Sequence, residues 1–225
     1  MTADRLVIAI DGASGSGKST TSKGVAKALG LAYLDTGAMY RAVACAFLDA
    51  GVDPCDTAGV IAATVGADIQ ISTDPQVERV LVNGADVTQR IREPEISAKV
   101  STVSTIPECR ADLVARQRAI IDAAENGIIA EGRDITTVVA PDADVRLLLS
   151  ADPEVRLARR NRDLGGQVDA AALADQVLRR DRDDSTLVNF TTAADGVVGL
   201  DCSDLTLAET IQAVLDLVAD VRRTA

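Results

Sequence analysis

Apolar residues along this chain occur in short continuous runs that alternate with segments of helical periodicity. Residues Leu6 to Ile10 form a partly β-branched apolar run, which is typical of a strand buried on both faces of a parallel sheet. Similar runs occur at 31–34, 128–130, 145–149 and 197–200. Helical patterns occur at 18–29, 37–50 and 107–126, each followed by a glycine, and again from 152 and from 206. Strands that alternate with helices predict an α/β fold with a parallel, doubly wound sheet.

The middle of the chain has a different pattern. Residues 68–72 alternate polar and apolar side chains, and so do residues 80–87, which Asn83-Gly84 interrupts. Asn-Gly between two alternating runs is a strong signal of a β-hairpin. The pattern therefore predicts a small antiparallel lobe inserted into the α/β chain at about residues 63–100.

The composition favours a cytoplasmic protein. Its 225 residues, of which 47% are hydrophobic, suffice for one core with a small appended lobe. No apolar run reaches the roughly 18 residues of a membrane span, and the N-terminus has no secretion signal. The four cysteines form no CxxC pair, so we expect reduced thiols and no zinc site.

The charge and the missing residue types exclude several classes of function. A net charge of −11 disfavours nucleic acid or a membrane surface as a partner of the whole chain. The absence of histidine removes Ser–His–Asp and Cys–His chemistry. With only 2% aromatic residues, a stacking platform for single-stranded nucleic acid is also disfavoured.

The most specific local motif lies directly after the first predicted strand. Residues Gly12 to Ser19 fit the pattern GxxxxGK[ST], and a predicted helix follows. Glycines let successive backbone N–H groups point at phosphate oxygens, and the helix N-terminus adds a favourable dipole. Lys18 is expected to reach the β- and γ-phosphates, and Ser19 to ligate Mg²⁺. The motif predicts a P-loop NTPase core, and no Asn-Lys-x-Asp guanine signature is present.

Arginines are concentrated late in the sequence. Seven of the 19 lie between Arg156 and Arg182, and Arg156, Arg159 and Arg160 share one helical face. Guanidinium groups suit transferring phosphates, and a closing lid at residues 152–184 would bring them over bound ATP. The alternative is a solvated helical hairpin whose arginines pair with neighbouring acids. Next to a P-loop, we favour the lid.

The lack of histidine also bears on the acceptor. A hydroxyl acceptor usually needs a general base, whereas a phosphate acceptor is mostly dianionic at pH 7 and needs only positioning and neutralisation. A nucleoside monophosphate acceptor is consistent with these residues. A kinase of UMP, AMP or a hydroxyl metabolite, or a nucleotide-dependent switch without an acceptor, remains an alternative.

Several segments together resemble the bacterial cytidylate kinases, nearly from end to end. They are IDGASGSGKST (10–20), LDTGAMYRAVA (34–44), VSTVSTIPECRADLVARQR (100–118), IIAEGRDITTVVAPDADVRLLLSA (128–151) and RRDRDDST (179–186). The resemblance implies transfer of the γ-phosphoryl group of ATP to CMP or dCMP, with Mg²⁺. It implies a core of residues 1–62, 101–151 and 185–225, a monophosphate-binding insert at 63–100 and an arginine-rich lid at 152–184. We expect a monomer.

The resemblance also implies roles for single residues. ATP would be bound by Gly12, Ala13, Ser14, Gly15, Ser16, Gly17, Lys18, Ser19, Thr20 and Arg159. CMP would be bound by Thr36, Arg41, Ser101, Arg110, Arg133, Asp134, Arg180 and Asp184. The catalytic residues would be Lys18, Arg133, Arg180 and Arg182. Mg²⁺ would be held by Ser19 and, through water, by Glu131.

Each acceptor-side role has a structural alternative. Thr36 could be a helix cap, Arg41 a surface arginine and Ser101 an exposed helix serine. Asp134 and Glu131 could simply pair with Arg133.

The sequence departs from the family at one point in the lid. Leu187 stands where the family often has an arginine, and the following Ser-Pro-Leu turn is absent. Arg179 or Arg182 could substitute for that arginine.

Overall fold

The computed structural model describes residues 5–163 and 190–224. Most of the predicted lid, residues 164–184, lies outside the described residues, and so do the predictions for Arg179, Arg180, Arg182, Asp184 and Leu187.

A parallel sheet of five strands forms the centre of the fold and confirms the predicted α/β class. Its strands are β1 (Leu6–Asp11), β2 (Ala32–Asp35), β6 (Gly127–Gly132), β7 (Val145–Ser150) and β8 (Val198–Asp201). Their order across the sheet is β2-β6-β1-β7-β8. Because β1 and β6 run in parallel with Asp11 opposite Gly132, the loops that follow them emerge at the same edge of the sheet.

Helices cover the sheet. They are α1 (Lys18–Leu29), α2 (Thr36–Asp49), α3 (Thr57–Gly66), α4 (Pro94–Ser104), α5 (Pro107–Ala123), α6 (Pro153–Asp163) and α7 (Leu207–Thr224). A 3₁₀ turn at Arg90–Arg92 and a π-helical turn at Ile135–Val139 are the other helical segments of the described part of the chain. Within residues 5–163 and 190–224, none of these helices has the length and apolarity needed to cross a membrane.

Successive strand residues point to opposite faces of the sheet, and helices bury both faces. In β1, Ile8 and Ile10 join a core that also contains Val25 of α1 and Val214 of α7. Ala9, between them, faces the other core, which is built on α2 to α5. This two-sided burial explains why the strands appear in the sequence as continuous apolar runs rather than as alternating ones.

The inserted segment contains the predicted antiparallel sheet. Its strands are β3 (Ile69–Ile71), β4 (Val80–Val82) and β5 (Ala85–Asp86), and each pairs antiparallel with the next. Asn83 and Gly84 connect β4 to β5 with φ of 51° and 80°, the two positive values of a type I′ turn. The backbone N–H of Tyr33 donates to the Thr73 carbonyl (2.8 Å), so the connection between β3 and β4 is attached to the edge strand β2.

Candidate active site

The glycine-rich loop joins β1 to α1 and packs closely against the backbone of α6. Gly15 and Gly17 have φ of 77° and 90°, which only glycine adopts without strain. A Cβ on Gly15 would lie 2.5 Å from the Arg156 carbonyl oxygen of α6, so the two backbones leave no room for a side chain. Gly17 caps α1 and provides no side-chain acceptor for its first-turn N–H groups. An anion such as a phosphate group suits these donors.

Glu131, at the end of β6, is the centre of a buried hydrogen-bond network beside this loop. Its carboxylate accepts hydrogen bonds from the Ser19 hydroxyl (2.6 Å) and the Tyr33 phenol (3.1 Å). The Lys18 ammonium lies 3.9 Å from its second oxygen. Burial and the nearby charge of Asp35 raise the pKa of Glu131, while Lys18 and the two donors oppose that rise. The pKa of Tyr33 is also raised, by burial and by Glu131, so the phenol remains a donor.

Asp35 forms the junction between β2 and α2 and holds two arginines. One carboxylate oxygen accepts from the Ala38 N–H (2.8 Å) and caps α2. The other oxygen accepts from Arg41 (2.9 Å) and lies 3.8 Å from Arg92. Burial alone would raise the pKa of Asp35, but Arg41, Arg92 and the Ala38 N–H outweigh it, and the pKa is lowered. The Arg41 guanidinium is thereby oriented by an ionised carboxylate.

The segment after β6 carries a second ion pair. Arg110, on α5, donates to the Asp134 carboxylate over 2.6 Å, and both side chains are largely buried. The guanidinium carbon of the neighbouring Arg133 lies 4.5 Å from the centre of the Phe190 ring, within cation–π range. These contacts fix three of the charged side chains that the sequence analysis assigned to acceptor binding.

These groups surround an open cleft with a cavity volume of about 190 Å³. Among the described residues, its lining contains six basic and three acidic side chains on a protein of net charge −11. The basic side chains are those of Lys18, Arg41, Arg92, Arg110, Arg133 and Arg160, and the acidic ones those of Asp35, Glu131 and Asp134. Tyr40, Ile91 and Val100 add apolar surface. The cleft is therefore a local basic site on an acidic protein, with some apolar residues in its lining.

The structure places most of the predicted residues around this cleft. Of the predicted ATP-binding residues, those that line it are Ser14, Gly15, Gly17, Lys18, Ser19 and Thr20. The lining does not include the other four predicted ATP-binding residues, Gly12, Ala13, Ser16 and Arg159. Thr36 lines the cleft, and its hydroxyl donates to the Glu131 carbonyl oxygen (2.8 Å). A Cβ on Gly132 would lie 2.5 Å from that hydroxyl, so the end of β6 and the start of α2 are in direct contact.

Ser101 lies on α4, but the residues of that helix that line the cleft are Ser97, Val100 and Ser104. Their spacing of three and four residues marks one face of the helix. The cleft also contains three residues that the sequence analysis assigned to no site, Arg92, Ser97 and Ser104. Arg160, which it placed only among the arginines of the lid, lines the cleft as well. The signal for α4 was present, since Glu93-Pro94-Glu95 resembles the helix start at Asp152-Pro153-Glu154.

Arg159 contacts the glycine-rich loop but does not line the cleft. Its guanidinium donates to the carbonyl oxygens of Ser16 (3.2 Å), Cys202 (2.8 Å) and Leu205 (3.3 Å). Arg156 donates to the Ser14 carbonyl in the same way (3.1 Å). In the described residues, α6 therefore supports the loop through two arginines, while Arg160 lies on the cleft side.

This geometry gives a prediction for Arg159. We expect Arg159→Met to lower the melting temperature by about 5 °C, because three carbonyl oxygens lose a charged donor. Arg162→Met, at an exposed position of the same helix, is the matched control and should leave the melting temperature unchanged. Thermal unfolding followed by circular dichroism measures both. An unchanged melting temperature in Arg159→Met would contradict the supporting role.

The chain is similar to known proteins over nearly its whole length. A family model described as Cytidylate kinase matches residues 8–220. A cytidylate kinase of Cutibacterium acnes is 53% identical over 220 residues, which are 97% of this chain and 98% of that protein. A cytidylate kinase of Corynebacterium efficiens is 51% identical over 173 residues, 77% of this chain and 74% of that protein. A solved structure of an uncharacterized protein from Eubacterium ventriosum has a TM-score of 0.50 at 10% identity, covers 96% of this chain and 99% of that one, and shows a common fold.

Proposed function

We propose, since this chain belongs to the cytidylate kinase family, that it transfers the γ-phosphoryl group of ATP to CMP or dCMP and releases ADP with CDP or dCDP. The observation that carries the proposal is a cleft whose lining includes the glycine-rich loop with Lys18 and also Arg41 and Arg133. Donor and acceptor phosphates need such a basic enclosure, because their repulsion must be neutralised as they approach.

On the donor side, the loop N–H groups and Lys18 bind the β- and γ-phosphates. The oxygens of Ser19 and Glu131, 2.6 Å apart, are of the ligand type that Mg²⁺ prefers, so the residues fit that ion directly or through water. When bound there, Mg²⁺ would neutralise negative charge on the phosphates of ATP. The hydrogen bond from Tyr33 keeps the Glu131 carboxylate oriented beside Ser19.

On the acceptor side, Arg41 and Arg133 hold the monophosphate, and Arg110 with Asp134 fixes the base or phosphate. Thr36 is proposed for the base. Ser101 remains a prediction for the base from the family resemblance, since α4 lines the cleft with Ser97, Val100 and Ser104 instead. A pyrimidine ring would pack against the part of the cleft lined by Tyr40, Ile91 or Val100. The acceptor oxygen is already ionised at pH 7, so the step needs no proton acceptor, in agreement with a sequence without histidine.

The division of the chain follows from the same proposal. Residues 63–100 form the monophosphate-binding insert, residues 152–184 the lid, and the remaining segments the core. The insert contributes Arg92, Ser97 and Val100 to the cleft, which supports an acceptor-side role. We propose that Arg180 and Arg182 act from the lid during transfer and that Asp184 contacts the acceptor. We retain a monomer as the proposed state.

The proposed function is tested by ADP release in a coupled assay with Mg·ATP. CMP, dCMP, UMP, AMP and no acceptor are offered in parallel. We expect strong turnover with CMP and dCMP and weak turnover with UMP and AMP. A different leading acceptor would overturn the cytosine assignment and keep the chemistry. Hydrolysis that does not respond to any acceptor would favour a nucleotide-dependent switch instead.

A further inference from the structure

Asp11 is a buried carboxylate that the proposed transfer does not use directly. It is the last residue of β1 and immediately precedes the glycine-rich loop, and only 3% of it is exposed. One carboxylate oxygen accepts the N–H of Ile135 (2.8 Å). The other accepts the N–H (2.9 Å) and the hydroxyl (2.6 Å) of Thr136. Three donors from the segment after β6 therefore converge on one side chain of β1.

Those donors belong to the first turn of the π-helical segment Ile135–Val139. The first N–H groups of any helical segment lack partners within it, and the side chain of the capping residue normally accepts one of them. Here the capping residue is Asp134, yet its side chain makes no capping hydrogen bond. The carboxylate of Asp134 instead accepts from Arg110 in the cleft (2.6 Å). Asp11 thus caps the turn in place of Asp134.

Two further contacts fix the same segment. The Gly12 N–H donates to the Gly132 carbonyl (3.3 Å), directly beside the Asp11 contacts. At the far end of the turn, Arg118 of α5 donates to the carbonyl oxygens of Val138 (2.6 Å) and Val139 (3.1 Å). Among these contacts, those of the Asp11 side chain join β1 to Ile135 and Thr136, which directly follow Arg133 and Asp134.

We propose that Asp11 is a positioning residue for acceptor binding, because its cap holds the Arg133–Asp134 segment in register with the glycine-rich loop and leaves the Asp134 carboxylate to the acceptor side of the cleft. The inference rests on the proposed function, since it assigns Arg133 and Asp134 to the acceptor. It differs from a role in donor binding, because the Asp11 side chain contacts the turn after β6 and not the loop that follows it.

Asp11→Asn tests this with almost no change in volume. An amide has one oxygen and one NH₂ group where the carboxylate has two acceptors, so one NH₂ must face an N–H donor of Ile135 or Thr136. Thr136→Val is the milder partner variant, because it removes only the hydroxyl donor. Asp144→Asn is the matched control. Asp144 also accepts a β1 backbone N–H, that of Val7 (2.7 Å), but at the opposite end of the strand.

The experiment measures KM for CMP and for ATP, CMP binding by calorimetry without ATP, and the melting temperature of each folded variant. We expect Asp11→Asn to raise the KM and Kd for CMP about tenfold, the effect of one lost charge-assisted hydrogen bond, and to change the KM for ATP less than about twofold. Thr136→Val should raise the CMP values by about threefold, within the range for one neutral hydrogen bond. Asp144→Asn should change neither the KM nor the Kd for CMP, and it should leave the KM for ATP unchanged.

Equal increases for CMP and ATP, or a lower melting temperature with unchanged CMP values, would overturn the inference and leave Asp11 a purely structural cap. Should Asp11→Asn fail to fold, Thr136→Val decides alone by the same CMP-against-ATP comparison. The wild-type protein is measured first. If it neither binds CMP nor transfers to it, the proposed function fails, and that result is distinct from a failure of the Asp11 inference in a CMP-active protein.

Discussion

Replacing Lys18 by alanine is expected to lower the turnover number about 10³-fold, a loss of about 4 kcal/mol of transition-state stabilisation. The Lys18 ammonium is at the start of α1 between the Ala13 carbonyl (3.3 Å) and the Glu131 carboxylate (3.9 Å). Its side chain is only 15% exposed, so little solvent screens its charge. In the proposed transfer, a cation held there would meet the negative charge that develops on the β- and γ-oxygens.

Lys27→Ala provides the matched control for this variant. Lys27 is an exposed lysine in the last turn of the same helix, so its removal changes the net charge equally without touching the cleft. Initial rates of ADP release with saturating ATP and CMP measure both variants. Turnover of Lys18→Ala near the wild-type value would refute the assignment of the glycine-rich loop to phosphate binding.

The second large effect is expected at Arg133. Arg133→Met should lower kcat about 10²-fold, because the guanidinium that we propose to hold the acceptor monophosphate is lost while side-chain length is nearly kept. Arg133 directly follows β6, and its guanidinium stacks on Phe190 at 4.5 Å, which limits the directions in which it can point. Such preorganisation is what makes a charge effective in the transition state.

Arg133→Lys separates charge from geometry. Lysine keeps the positive charge but lacks the planar fork, so we expect it to recover part of the lost rate and not all of it. The KM for ATP should change less than kcat in both variants, since Arg133 is assigned to the acceptor side. Steady-state kinetics with each substrate varied in turn gives these values. An Arg133→Met variant within twofold of the wild-type kcat would contradict the assignment.

The glycine-rich loop and the hairpin could be read from the sequence because each depends on residues that are neighbours in the chain. Gly15 and Gly17 adopt the left-handed backbone that the motif requires, and Asn83-Gly84 forms the predicted type I′ turn. Gly30 ends α1 with φ of 69°, as the helical pattern indicated. Backbone preferences of this kind are set locally, and tertiary contacts need only be compatible with them.

Other elements gave weaker local signals. The helix α3 (Thr57–Gly66) was not predicted, because its threonine, valine, isoleucine and glycine residues are poor helix formers. It forms since Asp56 caps it, accepting the Gly59 N–H (3.0 Å), and since Val60 and Thr64 are buried against the core. Arg116 of α5 donates to the carbonyl oxygens of Thr64 and Val65 in the last turn of this helix and to that of Ala67 directly after it, across 49 to 52 residues.

The sequence by itself determined the fold class, the phosphate-binding loop, the hairpin and the family resemblance, because these are carried by residue type and short spacing. Only the tertiary structure decided which distant groups meet. Ser19 reaches Glu131 across 112 residues, Asp11 reaches Ile135 across 124, and Arg159 reaches Ser16 across 143. A linear pattern contains no distances between such residues. The parallel sheet creates them, since it brings the carboxyl ends of β1, β2 and β6 to one edge and the loops after them into one cleft.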